Sequence, residues 1–309
     1  MARLFYFLFV APLSHLPLCI LYRISDLFYI LLITIIPYRK KVIEENILRS
    51  FPELDKSERT KLKRDFYRHF ADILIEGIKN LSISKVELEK RMILQNPEIM
   101  KDLFEKNKNV ILVSGHFNNW EWLITAQSFL IPHKAFGIGM PLTNQFWDKK
   151  LMERRSRFGM SVIHSKNYKS ELMNYTKKPF AVLTLSDQAP GDSTKSYWTD
   201  FLNQKTPVSF GTEFMANEFD LAVVYFTIHK VKRGYYSLEL KLLSDKPKTL
   251  DYGYLTSAYT TLLEKDILLN PSHWLWSHKR WKREIPENLE ILKEQQKEQF
   301  DKRFRSQAK

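Results

Sequence analysis

Cysteine and glycine are both scarce in this chain of 309 residues, and their scarcity excludes several kinds of site. The single cysteine, Cys19, has no partner for an intrachain disulfide and cannot form a cysteine-based zinc site. Only 9 glycines are present, and neither a Gly-x-Gly-x-x-Gly sequence nor a Walker loop occurs among them. His273 and His278 lack the spacing of a metal pair. The sequence therefore predicts no metal and no cofactor.

Acidic residues are too few to balance the basic ones, because 48 lysines and arginines face 35 aspartates and glutamates. The resulting charge of +13 attracts polyanions such as nucleic acid, anionic lipid or an acidic carrier protein. Neither a zinc-finger spacing nor an aromatic RNA-binding signature is present, so we predict no nucleic-acid partner. The apolar N-terminus favours a membrane surface instead.

Charged side chains are absent from residues 4–22, and a second apolar run covers Leu27 to Ile36. A spanning helix needs about 20 apolar residues, and two prolines would kink the first run. We predict that residues 1–37 are a retained membrane anchor, either one kinked span or a hairpin lying in the leaflet. A buried helical hairpin of a soluble protein is the alternative. Arg39-Lys40-Lys41 follows directly, which predicts a cytoplasmic location for the rest if the segment spans.

The remaining chain divides into a helical segment at 38–108, an α/β core at 109–283 and a charged C-terminal helix or tail at 284–309. Strand and helix candidates alternate through the core, which predicts a mostly parallel central sheet flanked by helices. The last two strand candidates are separated only by 232–234, which predicts an antiparallel hairpin. The strand candidates are Val110–Ser114, Lys134–Met140, Met160–His164, Phe180–Ser186, Leu221–His229 and Tyr235–Leu243. The helix candidates are Asn118–Leu130, Asn144–Arg157, Tyr168–Thr176, Phe210–Phe219 and Tyr254–Leu269.

The first turn of this core carries the clearest catalytic candidates, His116 and Glu121. His116 follows an apolar strand that ends at Ser114-Gly115, so it lies at a strand-to-helix turn, where α/β proteins place chemistry. A histidine can take a proton from a hydroxyl, and a nearby carboxylate can hold its ring and stabilise the imidazolium. For this spacing alone, a loop histidine and a helix-surface acid that never meet would be the better interpretation. Other segments of the chain, taken together with this one, favour a functional pair instead.

Three further segments offer binding groups. Arg154, Arg155 and Arg157 form either a solvated helix face or a site for phosphate, which the planar guanidinium binds through paired hydrogen bonds. Asp187 follows a strand and can bind a sugar hydroxyl, orient a basic group or cap a turn. Pro207 to Gly211 opens a helix that either receives an anion on its free amides or simply starts there.

The chain resembles the late acyltransferases of lipid A biosynthesis, the lauroyl/myristoyl transferase family of Gram-negative bacteria. The resemblance extends from about residue 4 to about residue 283. The residues that carry it occur in family order: His116-Phe-Asn-Asn-Trp-Glu121, the Arg155/Arg157-Phe-Gly159 helix end, Asp187-Gln188 with Pro190-Gly191, Pro207 to Gly211, and Asn270-Pro through Trp274-Leu-Trp-Ser-His278-Lys-Arg280-Trp-Lys282.

This resemblance implies a glycerol-3-phosphate-acyltransferase-like fold and a membrane-bound O-acyltransferase on the cytoplasmic face of the inner membrane. The donor would be a fatty acyl thioester on acyl carrier protein. The acceptor would be a hydroxyl on the 3-hydroxyacyl chains of a phosphorylated glucosamine disaccharide lipid. His116 would act as general base, Glu121 would orient it and balance its charge, and Arg155, Arg157 and Asp187 would help to hold the substrate.

Two other functions compete with this one. A base and an acid of this kind serve any hydroxyl or amine, so the acceptor can instead be another membrane lipid, such as a lysophospholipid, an aminolipid or a glycolipid. The second competitor is a basic scaffold without enzymatic activity, bound to a membrane or to RNA. Replacement of His116 discriminates between enzyme and scaffold, because general base catalysis contributes ~10²–10⁴-fold to a rate.

Overall fold

A seven-stranded sheet forms the centre of the computed structural model, which describes residues 1–305. Its strand order is β1-β9-β8-β2-β5-β3-β4, and every neighbouring pair is parallel except β8 and β9. The predicted mostly parallel α/β fold and the antiparallel final hairpin are therefore confirmed. The strands of this sheet are β1 (Met92–Leu94), β2 (Val110–Ser114), β3 (Lys134–Gly139), β4 (Ser161–His164), β5 (Phe180–Leu185), β8 (Ala222–Lys232) and β9 (Tyr235–Ser244).

Helices cover the sheet and precede its first long strand. Helix α5 begins with a capping box in which Asp55 and Glu58 each bind the other's backbone amide. The helices are α1 (Ala2–Phe5), α2 (Ala11–His15), α3 (Leu18–Thr34), α4 (Lys40–Ser50), α5 (Lys56–Lys79), α6 (Lys85–Arg91), α7 (Glu98–Glu105), α8 (Trp120–Leu130), α9 (Gln145–Ser156), α10 (Tyr168–Met173), α11 (Gly211–Phe219), α12 (Tyr254–Leu269) and α13 (Leu289–Phe304). The last four residues of the predicted C-terminal segment, 306–309, lie outside the described residues.

The adjacent strands β2 and β5 position the site. All five residues of β2 are buried, as expected for a strand covered on both faces. The parallel register pairs Ser114 with Leu185, and each of these residues ends its strand. His116 and Asp187 therefore both stand two residues beyond the same edge of the sheet, where open α/β sheets bind ligands.

A two-stranded hairpin between β5 and α11 was not predicted. It consists of β6 (Tyr197–Phe201) and β7 (Gln204–Val208), paired antiparallel through a tight turn. The turn residues Leu202 and Asn203 both have positive φ angles, 48° and 62°. Leucine gives no sequence signal for this left-handed conformation, so the turn is not apparent from the residue types.

The N-terminal segment folds back on itself. A continuous helical stretch through α1, a π-helical turn at Tyr6–Val10 and α2 ends at His15, and α3 begins after Pro17. None of the helices within residues 1–305 has both the length and the apolar sequence that crossing a bilayer requires. Many apolar side chains of this segment point into solvent, and Phe7 and Leu8 are each 59% exposed.

Candidate active site

His116 and Asp187 meet at the edge of the sheet, as the strand register requires. His116 Nδ1 lies 2.6 Å from Asp187 Oδ1, and the His116 backbone amide donates to Asp187 Oδ2 over 2.9 Å. Gly115 permits this approach, since a Cβ there would lie 2.9 Å from Asp187 Oδ2 and 2.7 Å from Leu263 Cδ2. Any larger residue at 115 would separate the histidine from the carboxylate.

The Asp187 carboxylate is fixed from a third side by the indole of Trp274, whose Nε1 donates to Oδ2 over 2.8 Å. Burial by itself would raise the pKa of Asp187. The charge and hydrogen bonds of His116, together with the bond from Trp274, outweigh burial and lower the pKa from 3.8 to about 2. Asp187 is therefore an ionised acceptor at neutral pH. It holds the neutral imidazole as the tautomer with its proton on Nδ1 and a lone pair on Nε2.

The Nε2 side of the ring faces a solvent-accessible region. The His116 side chain is 16% exposed, its Nε2 lies 3.3 Å from Gln188 Nε2, and the Trp120 ring stands edge-on to it with centroids 5.1 Å apart. Trp120 and Gln188 both line a cavity of about 660 Å³. His116 itself is not among the lining residues, so a substrate in that cavity meets the unprotonated nitrogen by displacing the Gln188 amide.

The cavity has an apolar wall and a charged rim. Side chains from the N-terminal stretch, α5 and α9 supply most of the apolar wall, and charged residues from several elements also line the cavity. The apolar residues are Val10, Ile73, Leu74, Ile78, Leu81, Trp147 and Leu151. The charged residues are Arg39, Glu121, Lys150 and Arg154. This composition suits an amphipathic ligand with a long alkyl chain and an anionic head.

Glu121 binds two arginines and makes no hydrogen bond to His116 among the described residues. Arg154 Nη2 donates to Glu121 Oε2 over 2.6 Å, and Arg155 Nη2 donates to Oε1 over 2.6 Å. Burial would raise the pKa of Glu121, but Arg154 and Arg155, with a smaller effect from His116, lower it from 4.5 to about 2. The carboxylate that contacts the ring is thus that of Asp187. Glu121 interacts with His116 electrostatically, without a hydrogen bond.

The predicted arginines take different positions. Arg155 binds Glu121, which lines the cavity, but Arg155 itself is not among the lining residues. Arg157 Nη1 and Nη2 donate to the backbone carbonyls of Asn80 and Ile83 over 2.7 and 3.0 Å. Arg157 therefore joins the end of α9 to the residues that follow α5, and it is absent from the cavity lining. A role for it in substrate binding remains a prediction.

Glu76 is a buried acid near this site that the sequence analysis did not single out. Its Oε2 accepts from Asn119 Nδ2 at 2.6 Å and from the Tyr236 hydroxyl at 2.7 Å, and its Oε1 accepts from the Tyr22 hydroxyl at 2.7 Å. Asn119 in turn caps α8, since its side chain accepts from the Trp122 amide. Glu76 thus connects the N-terminal helix α3 to the turn that carries His116.

The Trp-rich segment near the C-terminus serves as a wall around these groups. Its Trp274 backbone forms a bridge with Phe117, and the Ala189 amide donates to His278 Nε2 over 3.0 Å. Arg280 is 1% exposed, and its Nη2 donates to the Pro207 carbonyl over 2.7 Å. The run at Pro207–Gly211 therefore packs against this wall, and its binding of an anion remains a prediction.

Comparison with known proteins agrees with this architecture. A family described as bacterial lipid A biosynthesis acyltransferase matches residues 2–283. The chain is similar to the lipid A biosynthesis lauroyltransferase of Escherichia coli (strain K12), with 22% identity over 273 residues and 87% of each chain covered. It is also similar to the lipid A biosynthesis palmitoleoyltransferase of the same strain, with 22% identity over 79% of each chain. A lipid A biosynthesis acyltransferase of Shigella flexneri matches to the same extent.

The family match covers most of the chain and includes both His116 and Asp187. Together with the confirmed α/β fold, it decides between an enzyme and a scaffold. The chain belongs to the bacterial lipid A biosynthesis acyltransferase family, and it is an acyltransferase.

Proposed function

We propose that this enzyme transfers a fatty acyl group from acyl carrier protein to a hydroxyl of a phosphorylated lipid A precursor, with His116 as the general base. The observation that carries the proposal is the placement of His116. Its Nδ1 is held by Asp187 at 2.6 Å, and its other nitrogen lies 3.3 Å from Nε2 of Gln188, a residue of the cavity lining. A base in this position has one fixed tautomer, and its one lone pair becomes available to a hydroxyl that displaces the Gln188 amide.

The reaction follows from this geometry. His116 Nε2 takes the proton of the acceptor hydroxyl as its oxygen attacks the thioester carbonyl. The tetrahedral intermediate collapses, the carbon–sulfur bond breaks, and the imidazolium returns the proton to the departing thiolate. The products are an O-acyl ester and the free carrier thiol. Asp187 stabilises the imidazolium throughout, and the mechanism needs no covalent enzyme intermediate.

The arginine pair on Glu121 supplies positive charge next to the base. Two guanidinium groups share one carboxylate, so the cluster retains a positive charge at the cavity wall. Such a cluster favours the phosphates of the acceptor lipid and the negative charge of the tetrahedral intermediate. Glu121 in this proposal holds Arg154 and Arg155 in place and balances the charge of His116 through space, while Asp187 orients the imidazole ring.

The apolar N-terminus supports a location at the inner membrane, with the catalytic domain on the cytoplasmic face. Tyr6 and Val10 of this segment line the cavity, while neighbouring side chains such as Phe5 and Phe9 are more than half exposed. An exposed apolar patch of this kind favours insertion among lipid chains. An acceptor lipid then reaches His116 without leaving the membrane. The charge of +13 attracts both this anionic lipid and the acidic carrier protein.

The purified full-length protein tests the proposal. It is given acyl carrier protein charged with a defined fatty acid and a phosphorylated glucosamine disaccharide lipid with free 3-hydroxyacyl hydroxyls. Mass spectrometry is expected to show one added acyl group. His116→Ala is expected to lower turnover by ~10²–10⁴-fold. His164→Ala, at an exposed strand end, is the matched control and is expected to keep full turnover.

Two results would contradict the proposal. Transfer to a lysophospholipid but not to the disaccharide lipid would assign the site to another membrane lipid. Equal turnover for His116→Ala and the unchanged enzyme would remove His116 from the reaction.

A further inference from the structure

A cationic groove lies between helices α3 and α5, with a volume of about 750 Å³. Four basic side chains line it, accompanied by one carboxylate, one tyrosine and two hydroxyl residues. The basic residues are Lys56, Lys61, Arg64 and Arg68. All four are exposed to solvent. The groove therefore carries an excess of positive charge at the protein surface.

None of these cations forms an ion pair within the described chain, although Asp65 also lines the groove and Asp26 interacts electrostatically with Arg68. The side chains of Lys61 and Arg64 take part in no hydrogen bond or ion pair there, and Arg68 stacks over the Tyr29 ring at 5.0 Å. By contrast, Lys63 on the same helix pairs with Glu44 at 2.5 Å. Lys61, Arg64 and Arg68 repeat at helical spacing on one face, where like charges repel each other. An unpaired arrangement of this kind is stabilised by an external anion.

The groove is separate from the active site. Helix α5 lines the active-site cavity with Phe70, Leu74 and Gly77 from its second half. The groove residues come from its first half, and the 3.6-residue period places Lys61 and Arg64 on the opposite side of the helix from those positions. The groove cannot therefore be the place where an acceptor lipid meets His116.

An apolar strip runs beside the groove. Helices α3 and α5 pack antiparallel, because Ser25 Oγ donates to Asp72 over 2.8 Å and Tyr29 lies under Arg68. The chain of α3 after Tyr29 thus runs toward Arg64 and Lys61. Ile33 lies one helical turn after Tyr29, on the same face, and Ile30 and Ile33 are 50% and 37% exposed.

We propose that this groove binds the phosphate headgroup of an anionic membrane phospholipid, whose acyl chains lie along Ile30 and Ile33. Cations beside exposed aliphatic side chains match a ligand that has a negative head and an apolar tail. The apolar strip beside the cations favours a lipid, whose acyl chains supply apolar surface next to its charged head. Each basic residue near an anionic leaflet strengthens binding. The site holds the enzyme at the membrane independently of its substrates.

Vesicle flotation with the full-length protein tests this site. The vesicles consist of phosphatidylcholine alone or of phosphatidylcholine mixed with phosphatidylglycerol. Lys61→Gln with Arg64→Gln is expected to weaken binding to the mixed vesicles by about 30-fold, the effect of two lost cations. The change is expected to disappear in phosphatidylcholine vesicles and to shrink at high salt.

Lys246→Gln with Lys248→Gln is the matched control. These two lysines are also exposed, and they stand in the helical turn Pro247–Thr249 and its approach, away from the N-terminal helices. The control has the same net charge as the groove variant. It is expected to bind the mixed vesicles almost as well as the unchanged protein. All three proteins are compared for melting temperature, which surface substitutions leave nearly unchanged.

Several outcomes would overturn the site. Equal losses in both double variants would indicate attraction by net charge alone. Unchanged vesicle binding in the groove variant, with weaker binding of acyl carrier protein, would assign the groove to a protein partner. Full reversal by inorganic phosphate at the concentration of the vesicle lipid would show that the acyl chains contribute nothing. The experiment uses no acyl donor or acceptor, so its result does not depend on the proposed function.

Discussion

The Asp187 carboxylate and the His116 imidazole form a hydrogen-bonded pair whose Oδ1 and Nδ1 atoms lie 2.6 Å apart. The two residues are 71 positions apart in the chain, and the register of β2 and β5 brings them together. Asp187 accepts from the His116 ring, the His116 amide and the Trp274 indole, all within 2.9 Å. This set of bonds fixes the direction in which Nε2 points.

Asp187→Asn tests whether the tautomer of His116 matters. The asparagine amide can donate to Nδ1, which would leave the proton on Nε2 and remove the base from the cavity. We expect turnover to fall by roughly 10⁴-fold, the size of effect produced by the wrong tautomer in a comparable triad. Steady-state kinetics with acyl carrier protein as donor measures the loss. Circular dichroism checks that the variant folds, and turnover within a few-fold of the unchanged enzyme would contradict the assignment.

Glu121→Gln tests whether Glu121 interacts mainly with the two arginines or with His116. The substitution leaves Arg154 and Arg155, both mostly buried, without a counter-charge. We expect a loss of roughly 1–3 kcal/mol in the free energy of unfolding. A double-mutant cycle with Arg155→Gln is expected to give a coupling energy on the order of 1 kcal/mol or more. The parallel cycle with His116→Ala is the comparison, and a larger coupling there would show that Glu121 acts mainly on the histidine.

Arg157→Lys separates a structural arginine from a substrate-binding one. Arg157 donates to two backbone carbonyls, and lysine cannot reproduce the forked geometry. We expect the free energy of unfolding to drop by roughly 1–2 kcal/mol, while KM for the acceptor lipid stays the same. Urea unfolding and steady-state kinetics give the two quantities. A raised KM with unchanged stability would return Arg157 to the substrate-binding group.

Glu76→Gln tests the buried carboxylate by its pH dependence. Burial, offset in part by bonds from Tyr236 and Tyr22, raises the pKa of Glu76 from 4.5 to about 7. Between pH 4.5 and 7 the carboxyl ionises in the unfolded protein while it stays protonated in the folded one. The free energy of unfolding is therefore highest below pH 4.5 and falls as pH rises through 7. We expect the unchanged protein to lose roughly 3 kcal/mol from this group over that range, and Glu76→Gln to lack the loss.

The glutamine amide can keep the native bonds, because its oxygen can accept from Asn119 and Tyr236 while its nitrogen donates to the Tyr22 hydroxyl. Urea unfolding of both proteins at pH 4.5, 6 and 8 measures the difference. Parallel curves for the two proteins would show that Glu76 does not titrate in this interval.

Much of the fold was readable in the sequence because its signals are local. The apolar run Val110–Ser114 is a strand with those bounds, and the antiparallel pair predicted around a break at 232–234 is separated by residues 233–234. The hairpin of β6 and β7 was missed, since its turn at Leu202 and Asn203 depends on a left-handed leucine rather than on glycine. Local residue types carry no signal for such a turn.

The partner of His116 shows where sequence reasoning ended. A carboxylate near the histidine was expected, and Glu121 was the nearest in sequence, whereas Asp187 makes the contact. The orienting of a basic group was one of three roles open to Asp187, but no local pattern could choose among them. Trp274 and Glu76 also reach the site from other parts of the chain, and no local pattern connects them to His116.

The sequence by itself determined the α/β class, the strand-end location of His116 and Asp187, and the resemblance to lipid A acyltransferases, because periodicity and ordered motifs are properties of the linear chain. Only the tertiary structure decided that Asp187 holds the imidazole and that Glu121 holds two arginines. The reason is that hydrogen bonds are formed over about 3 Å in space. Parallel strand register sets those distances between residues that are far apart in sequence.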